Sequence, residues 1–179
     1  MPFLALLLLL LAAPWQPIFD GKTLSGWVPE GTANFRVVNG VITVDNGPYT
    51  WLRTVKSYKD YELSLEFKTG VDNNSGVFLR SAAVGLPHIT GYELQIFDAR
   101  KTFATGSVVD VAEAKPRVNV KPDVWNRFEV RHIGPHILVK LNGKQVLDTS
   151  DTKSLSGHLG LQFNPGKPIS FRKIKVREL

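Results

Sequence analysis

The chain has 179 residues, enough for one domain with its own core, and its balance of 43% hydrophobic and 21% charged residues excludes wholesale disorder. The absence of cysteine excludes thiol catalysis, cysteine-based zinc sites and lipid attachment at cysteine, and leaves the redox compartment open. The net charge of +6 is spread along the chain: its densest run, Arg172, Lys173, Lys175 and Arg177, is interleaved with Phe171, Ile174 and Val176, the pattern of a last strand with one wet face, so no nucleic-acid partner is expected.

Residues 1–19 carry no charged side chain, and the apolar run from Phe3 to Ala13 has about the length of a signal-peptide core and ends in small residues. It is too short for a transmembrane helix, which needs about 20 apolar residues, and Pro14 and Pro17 stop it. The expectation is a leader over 1–17, a periplasmic or secreted protein without a stable membrane span, and a single domain over 18–179.

From Asp20 onward short alternating runs dominate and no amphipathic helix of useful length is visible. Strands are expected at Phe35 to Val38, Val41 to Val44, Tyr61 to Lys68, Val77 to Arg80 and Tyr92 to Phe97, then at Arg127 to His132, Ile137 to Leu141, His158 to Phe163 and Ile169 to Val176. In the third run Tyr61, Leu63, Leu65 and Phe67 alternate with Glu62, Ser64, Glu66 and Lys68, so one face is core and the other is not. Asn39-Gly40 and Asn142-Gly143 each separate two such runs and read as hairpin turns. Between Arg100 and Asp123 the pattern fails, and a long excursion bordering a binding face is expected there. The fold class is all-β: two antiparallel sheets packed face to face as a lectin-like jelly-roll sandwich.

Candidate chemistry centres on Ser75 to Asp98. In Tyr92 to Phe97, Tyr92, Leu94 and Ile96 point to one face while Glu93 and Gln95 form a polar row on the other. If the neighbouring run ending in Arg80 pairs with it, Arg80, Glu93, Gln95 and Asp98 converge in a cluster suited to a sugar, with Arg80 able to hold an oxygen or stabilise an enolate. Glu66 and Asp110 also lie in or beside strand-like runs, with a solvated outer face the simpler reading for Glu66. His88, in the loop before Glu93, is placed to act as a base or sugar contact, whereas His132, His136 and His158 form no ligand pair. Nucleophile-elbow, phosphate-loop and calcium-loop signatures are absent. Asn73-Asn74-Ser75 matches a glycosylation triplet.

The ordered set of segments Ile18-Phe19-Asp20-Gly21, Asn74-Ser75-Gly76-Val77-Phe78-Leu79-Arg80, Gly91-Tyr92-Glu93-Leu94-Gln95-Ile96-Phe97-Asp98, Thr105-Gly106-Ser107, Leu141-Asn142-Gly143 and Gly160-Leu161-Gln162 resembles the 3-keto-disaccharide hydrolase domain family over nearly the whole chain after the leader. The resemblance implies a concanavalin-like jelly roll and a lyase or hydratase acting on 3-keto-glycosides. It implies a keto-saccharide as substrate and, with the residues above, makes Glu93 the first candidate for acid or base, Arg80 and Gln95 the groups that hold the keto-sugar and Asp98 the group that orients a partner; His88 stays a further catalytic candidate, and Glu66 and Asp110 further substrate contacts, from their positions in the sequence. It leaves room for a divalent ion near Asp98, which no ligand spacing indicates. One departure stands out: where the family commonly has His-Gly after Leu-Gln, this chain reads Gln162-Phe163-Asn164-Pro165-Gly166. The alternative reading is a non-catalytic carbohydrate-binding module on the same sandwich.

Overall fold

The computed structural model describes residues 13–179. The strands are β1 (Gln16–Pro17), β2 (Trp27–Glu30), β3 (Arg36–Val38), β4 (Val41–Val44), β5 (Thr50–Tyr58), β6 (Tyr61–Thr69) and β7 (Ser75–Ser81), followed by the single turn of helix α1 (Pro87–Thr90). After it come β8 (Tyr92–Ile96), β9 (Asn126–Ile133), β10 (His136–Leu141), β11 (Lys144–Ser150), β12 (Gly157–Phe163) and β13 (Ile169–Glu178). One antiparallel sheet runs β11-β10-β9-β6-β13-β4-β3 with β1 on β13, and the other runs β2-β5-β12-β7-β8. This is the all-β two-sheet jelly-roll sandwich that the alternation predicts.

Period-2 patterning explains how the two sheets meet. Tyr61, Leu63, Leu65 and Phe67 of β6 and Tyr92, Leu94 and Ile96 of β8 are all buried between the sheets, packed with Leu161 and Phe163 of β12 and Phe128 and Val130 of β9. Phe67 stacks on Phe128 across the β6–β9 pair, with ring centroids 4.8 Å apart. The Asn-Gly pairs make the expected turns: Asn39 and Gly40, like Asn142 and Gly143, all have positive φ, as a type I′ hairpin demands.

Four strands escape the sequence pattern: β1 falls at the end of the expected leader, and β5 shows why the others are missed. Its outward Trp51 is apolar while its inward Thr54 is polar, so the usual alternation is inverted. Thr54 is tolerated inside because its Oγ1 donates to the Lys56 carbonyl at 2.7 Å and accepts the Leu159 N–H at 3.1 Å. β2 carries Pro29, which suits an edge strand, and β11 is largely exposed, so neither reads as core.

Most of the expected leader, residues 1–12, lies outside the described residues. Gln16 and Pro17, at its expected end, pair with Val176 and Lys175 of β13, and Trp15 lies beneath the cations of Lys175 and Arg177. These residues are part of the folded sandwich, so its boundary lies before 18. Asn73 is buried and its Nδ2 donates to the Pro168 carbonyl at 3.0 Å, which withdraws it as a glycosylation acceptor.

Candidate functional site

The face of the β2-β5-β12-β7-β8 sheet turned away from the core carries the candidate site. Alternation sends Trp51, Phe78, Glu93, Gln95 and Gln162 to that side while Leu52, Val77, Leu94 and Leu161 go to the core. Two glycines shape the face. A Cβ at Gly160 would lie 2.4 Å from the Trp51 ring, so its absence lets the indole lie across β12, edge-on to Phe78 at 5.5 Å between centroids. A Cβ at Gly76 would stand 3.1 Å from Glu93 Cγ and 3.2 Å from its Oε1, so its absence opens the path by which Glu93 reaches Gln162.

Glu93 is the centre. Its side chain accepts a hydrogen bond from Gln162 Nε2 at 3.1 Å, and the residue is only 9% exposed. It has no ion pair. Burial pushes its carboxyl above the ordinary value and the charge of Asp110 adds to the rise, while the Gln162 hydrogen bond and the Arg100 guanidinium oppose it. The result is a carboxylate that holds a proton more readily than usual, the property of a group that exchanges protons with a substrate.

Around Glu93 the carboxamides have spare capacity. Gln162 Oε1 is buried without a partner, and so is Gln95 Nε2, whose Oε1 accepts from the Ile96 N–H at 3.0 Å. Open hydrogen-bonding atoms on one sheet face, beside a carboxylate that is not neutralised, are what a hydroxyl-rich ligand would complete. Tyr49 lies at the rim, its phenol pKa raised by burial and by the nearby Glu93 charge.

The excursion after β8 closes one edge of the site. Val109 N–H donates to the Glu93 carbonyl at 3.0 Å and Ser107 O accepts from Gln95 N–H at 2.9 Å, so residues 106–109 extend the sheet beyond β8 and set exposed Asp110 beside Glu93. Thr105 Oγ1 accepts from Phe97 N–H and Ser107 Oγ from Ala114 N–H, both at 2.9 Å, which pins the Thr105-Gly106-Ser107 turn. Asp98 belongs to this scaffold: its Oδ2 accepts the Val120 N–H at 2.7 Å and its carbonyl accepts from Arg117.

Of the expected cluster Arg80, Glu93, Gln95 and Asp98, the structure places Glu93 and Gln95 on one face, with the separate candidate Asp110 beside Glu93. Arg80 is the clearest correction. It takes φ of +52° at a bulge where β7 slips against β12, so its side chain turns into the interior and is 0% exposed. There it donates to Asp60 Oδ1 and the His132 carbonyl at 3.1 Å each and to the Gly134 carbonyl at 2.5 Å. It ties the two sheets together and cannot hold a sugar at Glu93.

Glu66 lies on the opposite side of the sandwich, on the outer face of β6, bonded to Arg127, Arg172 and Lys173. Its place on the other sheet separates it from Glu93. His88 sits in α1, where its carbonyl accepts from Lys153 Nζ at 3.2 Å, and no hydrogen bond joins its ring to Glu93. Asp98 braces the excursion through Oδ2, while its Oδ1 is buried without a partner beside a separate small cavity lined by Asp72, Asn73, Thr105 and Val120. Nor do the residues present suit a resident metal: among the described residues no three His, Asp or Glu side chains converge, and one Asp98 oxygen is committed to Val120.

Gln162, Trp51, Tyr49 and Arg100 are the members that residue-by-residue reading missed. Gln162 was visible in principle, since Gly160 and Gln162 alternate with Leu159, Leu161 and Phe163 in β12. Trp51 was hidden because an outward aromatic looks like core.

The whole sandwich, from residue 14 to residue 177, matches the family of the 3-keto-alpha-glucoside-1,2-lyase-like domain. The chain belongs to that family. Its membership ties the protein to carbohydrate chemistry and accounts for the ordered segments around Glu93. Among solved structures, a proposed glycosyl hydrolase of Parabacteroides distasonis is 27% identical with a TM-score of 0.78, covering 93% of this chain and 100% of its own. Another from the same organism is 22% identical with a TM-score of 0.81, covering 92% of this chain and 94% of its own. A carbohydrate binding module from Bacillus subtilis, CBM66, shares the fold at 14% identity and a TM-score of 0.68, covering 86% and 96%. No curated protein matches the chain in sequence. Among the described residues no helix is long and apolar enough to cross a membrane.

Proposed function

We propose that the protein is a carbohydrate-active enzyme that cleaves 3-keto-glycosides at the Glu93 face. The observation that carries this reading is Glu93 itself, a buried carboxylate with a raised pKa, no ion-pair partner and open carboxamide atoms around it. A ketone at C3 acidifies the hydrogen on C2. Glu93 takes that proton, and the C–H electron pair moves into an enolate. The enolate then re-forms the C3 ketone as the C1–C2 double bond develops and the C1–O bond to the aglycone breaks. The aglycone leaves with its electron pair and is protonated, and addition of water to the resulting unsaturated keto-sugar completes net hydrolysis. No oxocarbenium ion is needed, unlike the paired-carboxylate glycosidases. Gln162 positions Glu93, Gln95 and Gln162 offer hydrogen bonds to sugar oxygens, and Arg100 takes the electrostatic role that Arg80 cannot.

The test is to incubate the protein with a 3-keto-glucoside and with its unoxidised parent. Turnover of the first and not the second is expected. Binding of both without turnover of either would favour the carbohydrate-binding alternative, for which the shared sandwich fold is the supporting observation. The reading includes export to the periplasm or medium, supported by the apolar run before Pro14 and checked by N-terminal sequencing of protein recovered outside the cytoplasm.

A further inference from the structure

Beside the Glu93 face lies a groove of about 360 Å³ that the chemistry above does not use. Tyr49, just before β5, and Trp51 within it border the groove on one side, and Val84 and Leu86 of the loop between β7 and α1, with Pro87 at the start of α1, border it on the other. Val84 is 84% exposed and Leu86 57%, an unusual cost in water for two aliphatic side chains side by side on one loop. The charged group on its border, Glu30, is occupied: its Oε1 accepts from Arg53 Nε at 2.6 Å.

The groove is continuous with the proposed site through Tyr49 and Trp51. Trp51 pairs with Gln162 across β5 and β12, and Gln162 holds Glu93; the Tyr49 phenol feels the Glu93 charge. A ligand whose reacting carbon sits at Glu93 can therefore reach this groove with its neighbouring substituent. A second sugar in this position would bring several hydroxyls against walls whose polar side-chain groups, apart from the paired Glu30, are the Tyr49 phenol and the Trp51 indole N–H, and unpaired buried hydroxyls oppose binding. A flat apolar ring would instead cover Trp51 and be covered by Val84 and Leu86.

We propose that this groove is the leaving-group subsite and that it takes an aryl or similarly flat apolar aglycone in preference to a second sugar. The assignment rests on the 3-keto-glycoside reading for the reacting end, and the apolar end can be measured apart from it. Wild type is compared on an aryl 3-keto-glucoside and a 3-keto-disaccharide of the same anomer, and on equilibrium binding of the unreactive 4-nitrophenyl glucoside. Leu86→Ser and Val84→Ser are carried alongside; both side chains are exposed, so folding is expected to be unaffected and is checked by thermal melting.

The expected result is a kcat/KM preference for the aryl substrate of at least tenfold, with the aryl-to-disaccharide ratio falling about tenfold in Leu86→Ser and less in Val84→Ser. Equal or better turnover of the disaccharide overturns the aryl subsite while leaving the keto-glycoside reading intact. Should neither keto-sugar react while 4-nitrophenyl glucoside binds, and binds more weakly to Leu86→Ser, the groove stands and the reaction falls. Absence of both turnover and binding for every aryl compound tested overturns the groove.

Discussion

Glu66 and Glu93 are the same residue type, each on the non-core face of a strand and each nearly sealed from water at 6% and 9% exposure, yet their acidities move in opposite directions. Burial alone would raise both. At Glu66 hydrogen bonds from Arg127, Arg172 and Lys173 overcome that penalty and hold the carboxyl down at about 2. At Glu93 a neutral carboxamide is the hydrogen-bond partner, and burial wins. Partners decide what a buried acid does. One sheet uses its glutamate to lock strands β6, β9 and β13 together; the other leaves its glutamate poised for a ligand.

The largest effect should come from removing that poise. Glu93→Gln keeps the shape and a hydrogen bond to Gln162 but not the ionisable group, so turnover of a 3-keto-glycoside should fall on the order of 10²-fold or more. Because the folded state raises this pKa, ionisation above the ordinary carboxylate value opposes folding, and the variant should melt at or above the wild-type temperature at pH 7. A folded Glu93→Gln protein with full activity would remove Glu93 from the mechanism. In wild type, the acid limb of kcat/KM should lie above the ordinary glutamate pKa of about 4.5, since the base must be ionised.

Arg80→Ala tests the assignment of Arg80 to structure and not to the site. Its loss removes the side-chain donors to the His132 and Gly134 carbonyls and leaves the Asp60 carboxylate with the Gly134 N–H but no counter-charge, and should cost about 3 kcal/mol or more by denaturant unfolding. Any folded fraction should keep its kcat; a stable but inactive Arg80→Ala protein would return Arg80 to the site.

Glu66→Gln should do the reverse of Glu93→Gln, leaving turnover intact and lowering stability by about 2 kcal/mol at pH 7. A carboxyl whose folded pKa is depressed contributes stability that is fully present above its unfolded pKa. That contribution is lost as pH falls through the folded value. The gap between Glu66→Gln and wild type should therefore close between about 4.5 and about 2. His132 adds a separate acid-sensitive contribution. Burial, then the nearby Arg80 charge, drops its pKa to about 3, so the fold favours the neutral ring and loses that stability between about 6.5 and about 3.

Lys173→Ala should change least. Its ammonium reaches Glu66 at 3.1 Å but its side chain is mostly in water and Glu66 keeps two arginines, so less than about 0.5 kcal/mol is expected. A loss comparable to that of Glu66→Gln would show that the cluster acts as a unit.

Local chemistry, repeated along the chain, determined much of this protein. Alternation at β6 and β8 set which side chains face the core, Asn-Gly pairs set two hairpins, and together these demanded an all-β sandwich with Glu93 and Gln95 on an outward face. What sequence could not convey was where independent strands meet. A one-residue bulge at Arg80 turns a side chain that alternation assigns to the polar face into the interior, and an inward Thr54 with an outward Trp51 erases β5 from the pattern. Only tertiary pairing decided that Glu66 faces three cations on one sheet while Glu93 faces Gln162 on the other. Both glutamates carry the same local signal, and the field each feels comes from residues distant along the chain.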